Sequence, residues 1–191
     1  MKEKFSSDKA TKDYIKSELV SEGIINNELN KDLEDHTEAR VITQIVAEQT
    51  QKTIEDNFNT LVTSAIQAVF SEKLEFKIKF VQKRNKTECE CYIINDGNEC
   101  GMFDGGFGVA EIASFGCRVA FLHLEKKARK IMFLDEPTGS LNGNIEQENF
   151  SNVMQMLSDK YEIQFIVVTN QGNIVGDRIF NVKNGECKQI S

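Results

Sequence analysis

The sequence predicts an α/β protein. An N-terminal helical arm or short coiled coil, residues 1–72, precedes a lobe, residues 73–191, with a small partly parallel sheet and an antiparallel hairpin. Three observations lead there. Residues 1–72 contain no proline and a single glycine, Gly23. From Leu74 the apolar pattern changes from helical spacing to strict alternation. Finally, two short apolar runs, 131–134 and 163–168, flank an amphipathic stretch at the spacing of a parallel strand–helix–strand unit.

In the arm, Ile42, Ile45, Val46, Ile54, Phe58, Leu61, Val62, Ala65, Ile66 and Val69 recur at helical intervals, interrupted by Gln49 and Thr53. An earlier series, Tyr14, Ile15, Leu19, Ile25, Leu29 and Leu33, is looser. The pattern predicts a long helix from about 30 to 71 with a shorter one before it. Mixed charges throughout fit either a solvated arm or coiled coil, or an ordinary helical subdomain.

Leu74, Phe76, Ile78 and Phe80 then alternate with Glu75, Lys77 and Lys79, and a second run spans 88–94 after the turn Arg84-Asn85-Lys86. That is a β-hairpin. Lys77, Lys79, Lys83, Arg84 and Lys86 make it the most basic piece of the chain and a candidate contact for a phosphate backbone; a solvated polar face is the commoner meaning of such a run. Next, Gly105-Gly106-Phe107-Gly108 opens an apolar helix from about 109 to 127. Glycines ahead of a helix leave backbone N–H groups free to face an anion, although loops before helices are often glycine-rich. Lys126, Lys127, Arg129 and Lys130 suit the C-terminal end of that helix.

The stretch KIMFLDEPTGSLN, 130–142, delivers Asp135 and Glu136 to the C-terminal end of a short apolar strand that Pro137 ends. Ligands of open α/β sheets bind at this end. An Asp there can hold Mg²⁺, and a following Glu can orient or deprotonate water; equally, many buried strands end in an acidic turn. A helix over 145–160, a buried strand ending at Thr169-Asn170-Gln171, and a hairpin around Asn184-Gly185 complete the chain.

Composition limits the function classes. A net charge of −7 argues against a protein that coats DNA through its whole surface. With no run of 18 apolar residues and no leader in MKEKFSSDKA, the expectation is a soluble, cytoplasmic protein with no membrane role. Five irregularly spaced cysteines fit a reducing compartment. Cys89, Cys91 and Cys100 invite a metal reading, but without a CxxC pair or a nearby His they read better as free core thiols. His123 reads as packing, and His36 is uninformative.

The pieces FKIKFVQKRNKTECECYIINDGNE, GGFGVAEIASFGCRVA, KIMFLDEPTGSLN and IQFIVVTNQ together resemble, over about 54–191, the C-terminal half of SMC/SbcC-like ABC-type DNA-repair ATPases of the compact bacterial or phage type. The resemblance implies an ABC-ATPase C-terminal lobe. Within it, Asp104, Gly105, Gly106 and Gly108 stand at the signature loop. Asp135 (metal) and Glu136 (catalytic) form the Walker B pair. Ser140 and Asn142 belong to the D-loop, and Asn170 takes the place of the switch histidine.

The resemblance has gaps. No glycine here is followed by lysine, so the phosphate-binding P-loop GxxxxGK[ST] is absent from this sequence. The chain begins where the family's coiled coil would return to the head. Asp104 stands where a Ser or Thr is usual, or Phe107 replaces a glycine in the other register. Asn142 replaces the D-loop Asp, and Asn170 the histidine. ATP and Mg²⁺ are therefore expected only if a partner supplies the P-loop.

Two functions follow from the resemblance. One is a non-catalytic half-head that regulates or inhibits an intact SMC/SbcC-like DNA-processing ATPase. The other is the C-terminal subunit of a split ATPase whose P-loop lobe is a separate polypeptide. A DNA-binding scaffold is a third and weaker reading. An exposed lobe would leave apolar sheet open, so self-association or a permanent partner is expected.

Overall fold

The computed structural model describes residues 2–84 and 86–190, with side chains from Thr11 onward. Its elements are α1 (Lys2–Val69), β1 (Glu75–Lys83), β2 (Lys86–Asn95), β3 (Asn98–Cys100), α2 (Phe107–Leu124), β4 (Ile131–Asp135), α3 (Asn144–Tyr161), β5 (Gln164–Val168), β6 (Phe180–Lys183) and β7 (Glu186–Gln189). The hairpin, the βαβ unit and the final hairpin all match the sequence pattern. The arm does not match in extent: one helix runs through 2–69 instead of two. Gly23 costs only about 1 kcal/mol relative to alanine in a helix interior, and there is no proline to stop it. Along it, the hydroxyls of Thr37, Thr43 and Thr50 donate to carbonyls one turn back, at 2.7, 2.8 and 2.7 Å, so they need no partner outside the helix.

The chain divides into two compact units, residues 1–50 and 51–191. In the first, every described side chain is exposed, apolar ones included. The second contains the core. There Val62, Ile66 and Val69 from the end of α1 join Phe76 and Ile93 of the hairpin, Ile112 and Val119 of α2, and Phe150, Val153 and Leu157 of α3. Phe115 meets Phe150 edge-on, with ring centroids 4.9 Å apart. Gly116 lets α2 approach α1 closely, since a Cβ there would sit 3.2 Å from Val62 Cγ2 and 3.3 Å from its Cα. α2 has the length and mean hydropathy, 1.3, of a membrane span. Its apolar face, however, includes Val109, Ile112, Phe115 and Val119, which are core residues.

A polar ladder joins α1 to the edge of β1. The Gln67 amide donates to the Leu74 carbonyl at 3.0 Å. Thr63 Oγ1 accepts from Phe76 N at 2.9 Å and donates to Phe76 O at 3.2 Å. Asn59 Oδ1 accepts from Ile78 N at 2.7 Å, and Glu55 Oε1 from Phe80 N at 2.8 Å. Four helical residues rise about 6 Å and two strand residues about 6.6 Å, so the two spacings keep pace along antiparallel directions. The helix thus satisfies the backbone of a sheet edge that would otherwise be left open.

β4 and β5 are parallel, Ile131 opposite Gln164 and Asp135 opposite Val168, and no third strand joins them among the described residues. Met132 and Leu134 face the core; Phe133 is 73% exposed and Val168 63%. β6 and β7 turn at Asn184 and Gly185, both at positive φ (52° and 80°), as a two-residue hairpin loop requires.

The core-thiol expectation is corrected. All five cysteines are free, but Cys89, Cys91 and Cys187 are exposed and Cys100 half-buried. Cys89 and Cys91 lie on β2 before Ile93, opposite Phe80 and Ile78, towards the turn end of the hairpin where its cover runs out. Cys117, on α2, is the thiol that burial affects most, its pKa pushed up to about 12.

Candidate nucleotide-facing site

The parallel pairing of β4 with β5 brings their C-terminal ends together, and the two following loops are cross-bonded. Glu136 N donates to Val168 O at 2.8 Å, which extends the ladder by one residue. Glu136 itself is left-handed, φ 45°, a conformation that costs a non-glycine residue roughly 1–3 kcal/mol. Both its carboxylate oxygens have donors: Thr169 Oγ1 reaches Oε2 at 3.1 Å and Asn170 N reaches Oε1 at 2.9 Å. The side chain is therefore held across the gap between the loops, and Asp135 beside it is exposed.

Thr138 is fully buried, and its hydroxyl donates to Gln171 Oε1. Gln171 N in turn donates to Thr169 Oγ1 at 3.1 Å. Loops 136–141 and 169–171 are thus one hydrogen-bonded assembly. The turn is closed by Gly139 N to Glu136 O and Leu141 N to Thr138 O, each at 3.0 Å.

The glycine-rich loop meets that assembly from the other side. Ser140 N donates to Glu111 Oε2 of α2 at 3.0 Å. At Gly108, a Cβ would lie 3.0 Å from Leu141 Cδ2 and 3.3 Å from the Ser140 carbonyl, so the close approach needs glycine. Gly106 is the N-cap of α2 at φ 92°, and no side chain caps the helix. Asp104 turns away from a capping role: its Oδ2 accepts from Gly101 N at 2.6 Å, and its own N–H donates to Gly101 O at 3.0 Å. Phe103 and Phe107 flank the glycines with ring centroids 5.8 Å apart, both largely exposed. Gly105 packs on Val109, and Asn142 is exposed.

Sequence-predicted residues thus gather in two places. Gly108, Ser140, Glu136 and Asn170 are linked through the loop assembly, whereas Asp104 closes a turn of its own. The basic hairpin is partly neutralised within itself. Lys77 pairs with Glu75 at 3.2 Å, and Lys83 pairs with Glu90, whose hydrogen bond raises the lysine pKa. Lys79, Arg84 and Lys86 are exposed, and Asn85 lies outside the described residues. No cluster of three or more His, Cys, Asp or Glu fit for a metal occurs among the described residues. Sequence reading missed Glu111, Thr138 and Gln171, which join segments 29 or more residues apart in the chain. The α1 ladder did leave a trace, because Glu55, Asn59, Thr63 and Gln67 recur every fourth residue.

No protein-family model matches the sequence, and no curated protein matches it. Solved structures do. The Smc head domain with a coiled coil and joint from Pyrococcus yayanosii gives a TM-score of 0.60 at 14% identity, over 84% of this chain and 32% of that one. The SmcHead bound to the C-winged helix domain of ScpA gives 0.56 at 15% identity, over 77% and 44%. A chain from work on ATP-driven dimerization and DNA-stimulated activation of SMC ATPases gives 0.56 at 11% identity, over 75% and 87%. The fold is that of an SMC head. At these identities the likeness is one of fold alone, and this chain spans less than half of the first two of those structures.

Proposed function

We propose that this chain is a non-catalytic SMC-type lobe that docks on an intact, P-loop-bearing SMC/SbcC-like ATPase and regulates or inhibits it. The observation that carries this reading is the open face of β4–β5. Phe133, Ile166 and Val168 stand in solvent on a two-stranded parallel sheet. Parallel sheets are normally covered on both faces, and two strands alone are marginal in water. A partner lobe over this face would remove that exposure. The SMC heads of similar fold include one solved with a ScpA domain bound, which supports a protein partner of some kind.

On this reading the worn positions, Asn142 and Asn170, matter little. ATP and Mg²⁺ would enter only with the partner's P-loop, and Asp135 would then be the carboxylate nearest the metal. The exposed Lys79, Arg84 and Lys86 offer a weak DNA contact to such an assembly.

One observation favours the split-enzyme alternative. Glu136 keeps a left-handed backbone and two donors on its carboxylate, the kind of strained, held geometry that collects at working sites. Measuring ATP turnover by a P-loop-bearing SMC/SbcC-like partner, with and without this chain, separates the readings. A change in the partner's existing turnover that survives Glu136→Gln supports the regulator. Turnover that appears only on mixing and is lost in Glu136→Gln supports the split enzyme. A partner whose turnover is the same with and without saturating chain overturns both.

A further inference from the structure

A groove of about 490 Å³ runs between α2 and the start of β4, walled by Phe58, Cys117, Arg118, Phe121 and Ile131. Phe121 is two-thirds exposed. The Cys117 thiol on its floor stays neutral up to strongly alkaline pH because burial holds its pKa high, so it behaves as a small apolar group. The rim is basic. Arg118 lines the groove, and Lys126, Lys127 and Arg129 lie exposed in the turn that leads into Ile131. Glu125, the acidic residue of that turn, accepts from Lys127 N at 2.9 Å. Lys130 turns elsewhere and donates to the Tyr161 carbonyl at 3.0 Å.

The complementary chemistry is present in the same chain. Between residues 18 and 38, α1 carries seven acidic residues against the single Lys31. Glu18, Glu22, Ile25, Leu29 and Asp32 follow one another at alternating steps of four and three, so they share one helix face. Ile25 and Leu29 are more than half exposed. A partner helix on this face would bury carboxylates among aliphatic side chains, which costs several kcal/mol unless cations meet them. Two such arms laid together bring acid against acid. Glu18 accepts from Tyr14 of its own helix at 3.2 Å, which leaves its negative charge in place.

We infer that residues 18–38 of one copy seat in the α2–β4 groove of a second copy. Ile25 and Leu29 enter the apolar floor, and Glu22 and Asp32 meet Arg118 and the lysine rim. Made reciprocally between two copies, the two equal contacts close a dimer. The groove adjoins the open β4–β5 face through Ile131, which shares that face of β4 with Phe133, and the inference is independent of nucleotide binding.

Sedimentation of the full chain tests it, using two charge reversals. One is Arg118→Glu with Lys127→Glu and Arg129→Glu; the other is Glu18→Lys with Glu22→Lys and Asp32→Lys. Wild type should be a dimer that dissociates as salt rises, because the pairs are screened. Each reversed variant alone should be weakened by about tenfold or more in dimer affinity. Mixed together they should form a heterodimer, because the acidic groove of one now fits the basic arm of the other. That recovery shows both variants folded. A monomeric wild type overturns the inference. So does a dimer indifferent to the groove reversal but lost on arm reversal, which would mean that arms pair with arms, and so does failure of the mixed variants to associate.

Discussion

Residues 51–69 and 11–50 of α1 belong to one helix and share a composition rich in Ile, Val and Thr, yet they differ in every tertiary respect. In the first stretch Val62, Ile66 and Val69 are buried to 1% exposure or less, and Glu55, Asn59, Thr63 and Gln67 bond to strand β1. In the second, Leu19, Leu29 and Ile42 each stand more than half exposed. The difference teaches that helix formation and helix stabilisation are separate events. The absence of proline permits a helix everywhere, but most helical stability comes from packing of a face. In residues 11–50 no face is covered, so the helix there has no such packing to stabilise it.

The sharpest test of this contrast is truncation of a buried position. Ile66→Ala should lower the unfolding free energy by about 2–5 kcal/mol, the transfer loss plus the cavity left behind, read by urea denaturation. A loss under about 1 kcal/mol would mean that the end of α1 is not a core element. Next, Asn59→Ala removes the acceptor of the Ile78 N–H at a half-buried edge, and should cost about 1–3 kcal/mol. Asn59→Asp, which keeps an acceptor oxygen, should recover part of that loss; equal losses in both variants would show that the ladder does not stabilise the fold. At the exposed end, Ile42→Ala should change stability by no more than about 0.5 kcal/mol. A larger loss would show that residues 11–50 already pack on something.

The smallest effect is chemical. At pH 8 iodoacetamide should alkylate exposed Cys187 and leave Cys117 unmodified, because the thiolate reacts and burial keeps Cys117 as the thiol. With the folded pKa raised from 9.0 to about 12, the contribution of Cys117 to stability is complete below pH 9 and is lost as pH rises towards 12. Rapid modification of Cys117 in the folded chain would contradict its burial.

The two loop systems near Glu136 repeat the same lesson on a smaller scale. The glycines of loop 101–108 marked the start of α2, but the turn that Asp104 makes with Gly101, although its bonds are local, is not in the sequence reading. The 136–141 loop could be read only in part. Asp135, Glu136 and Pro137 marked the strand end, but Thr138 and Glu136 take their partners from residues 169–171, 33 or 34 positions on. A single sequence shows spacing along the chain and nothing of such distant pairs. The same limit explains the cysteines: period-two alternation correctly put Cys89 and Cys91 on one face, but how far the core extends under a hairpin is not written in alternation.

By itself the sequence determined the α/β class, the order of helix, hairpin, glycine-led helix, strand, helix and strand, and the Asp135-Glu136 pair at a strand end. Those follow from local rules: apolar period, the lone proline, and the left-handed turn at Asn184-Gly185. Only the tertiary structure decided that α1 is unbroken, that its polar residues seal the edge of β1, and that both oxygens of Glu136 are held. It also decided that one face of β4–β5 stays uncovered. Each of these depends on what lies across a gap in space, and burial and long-range hydrogen bonding arise only once distant segments have come together.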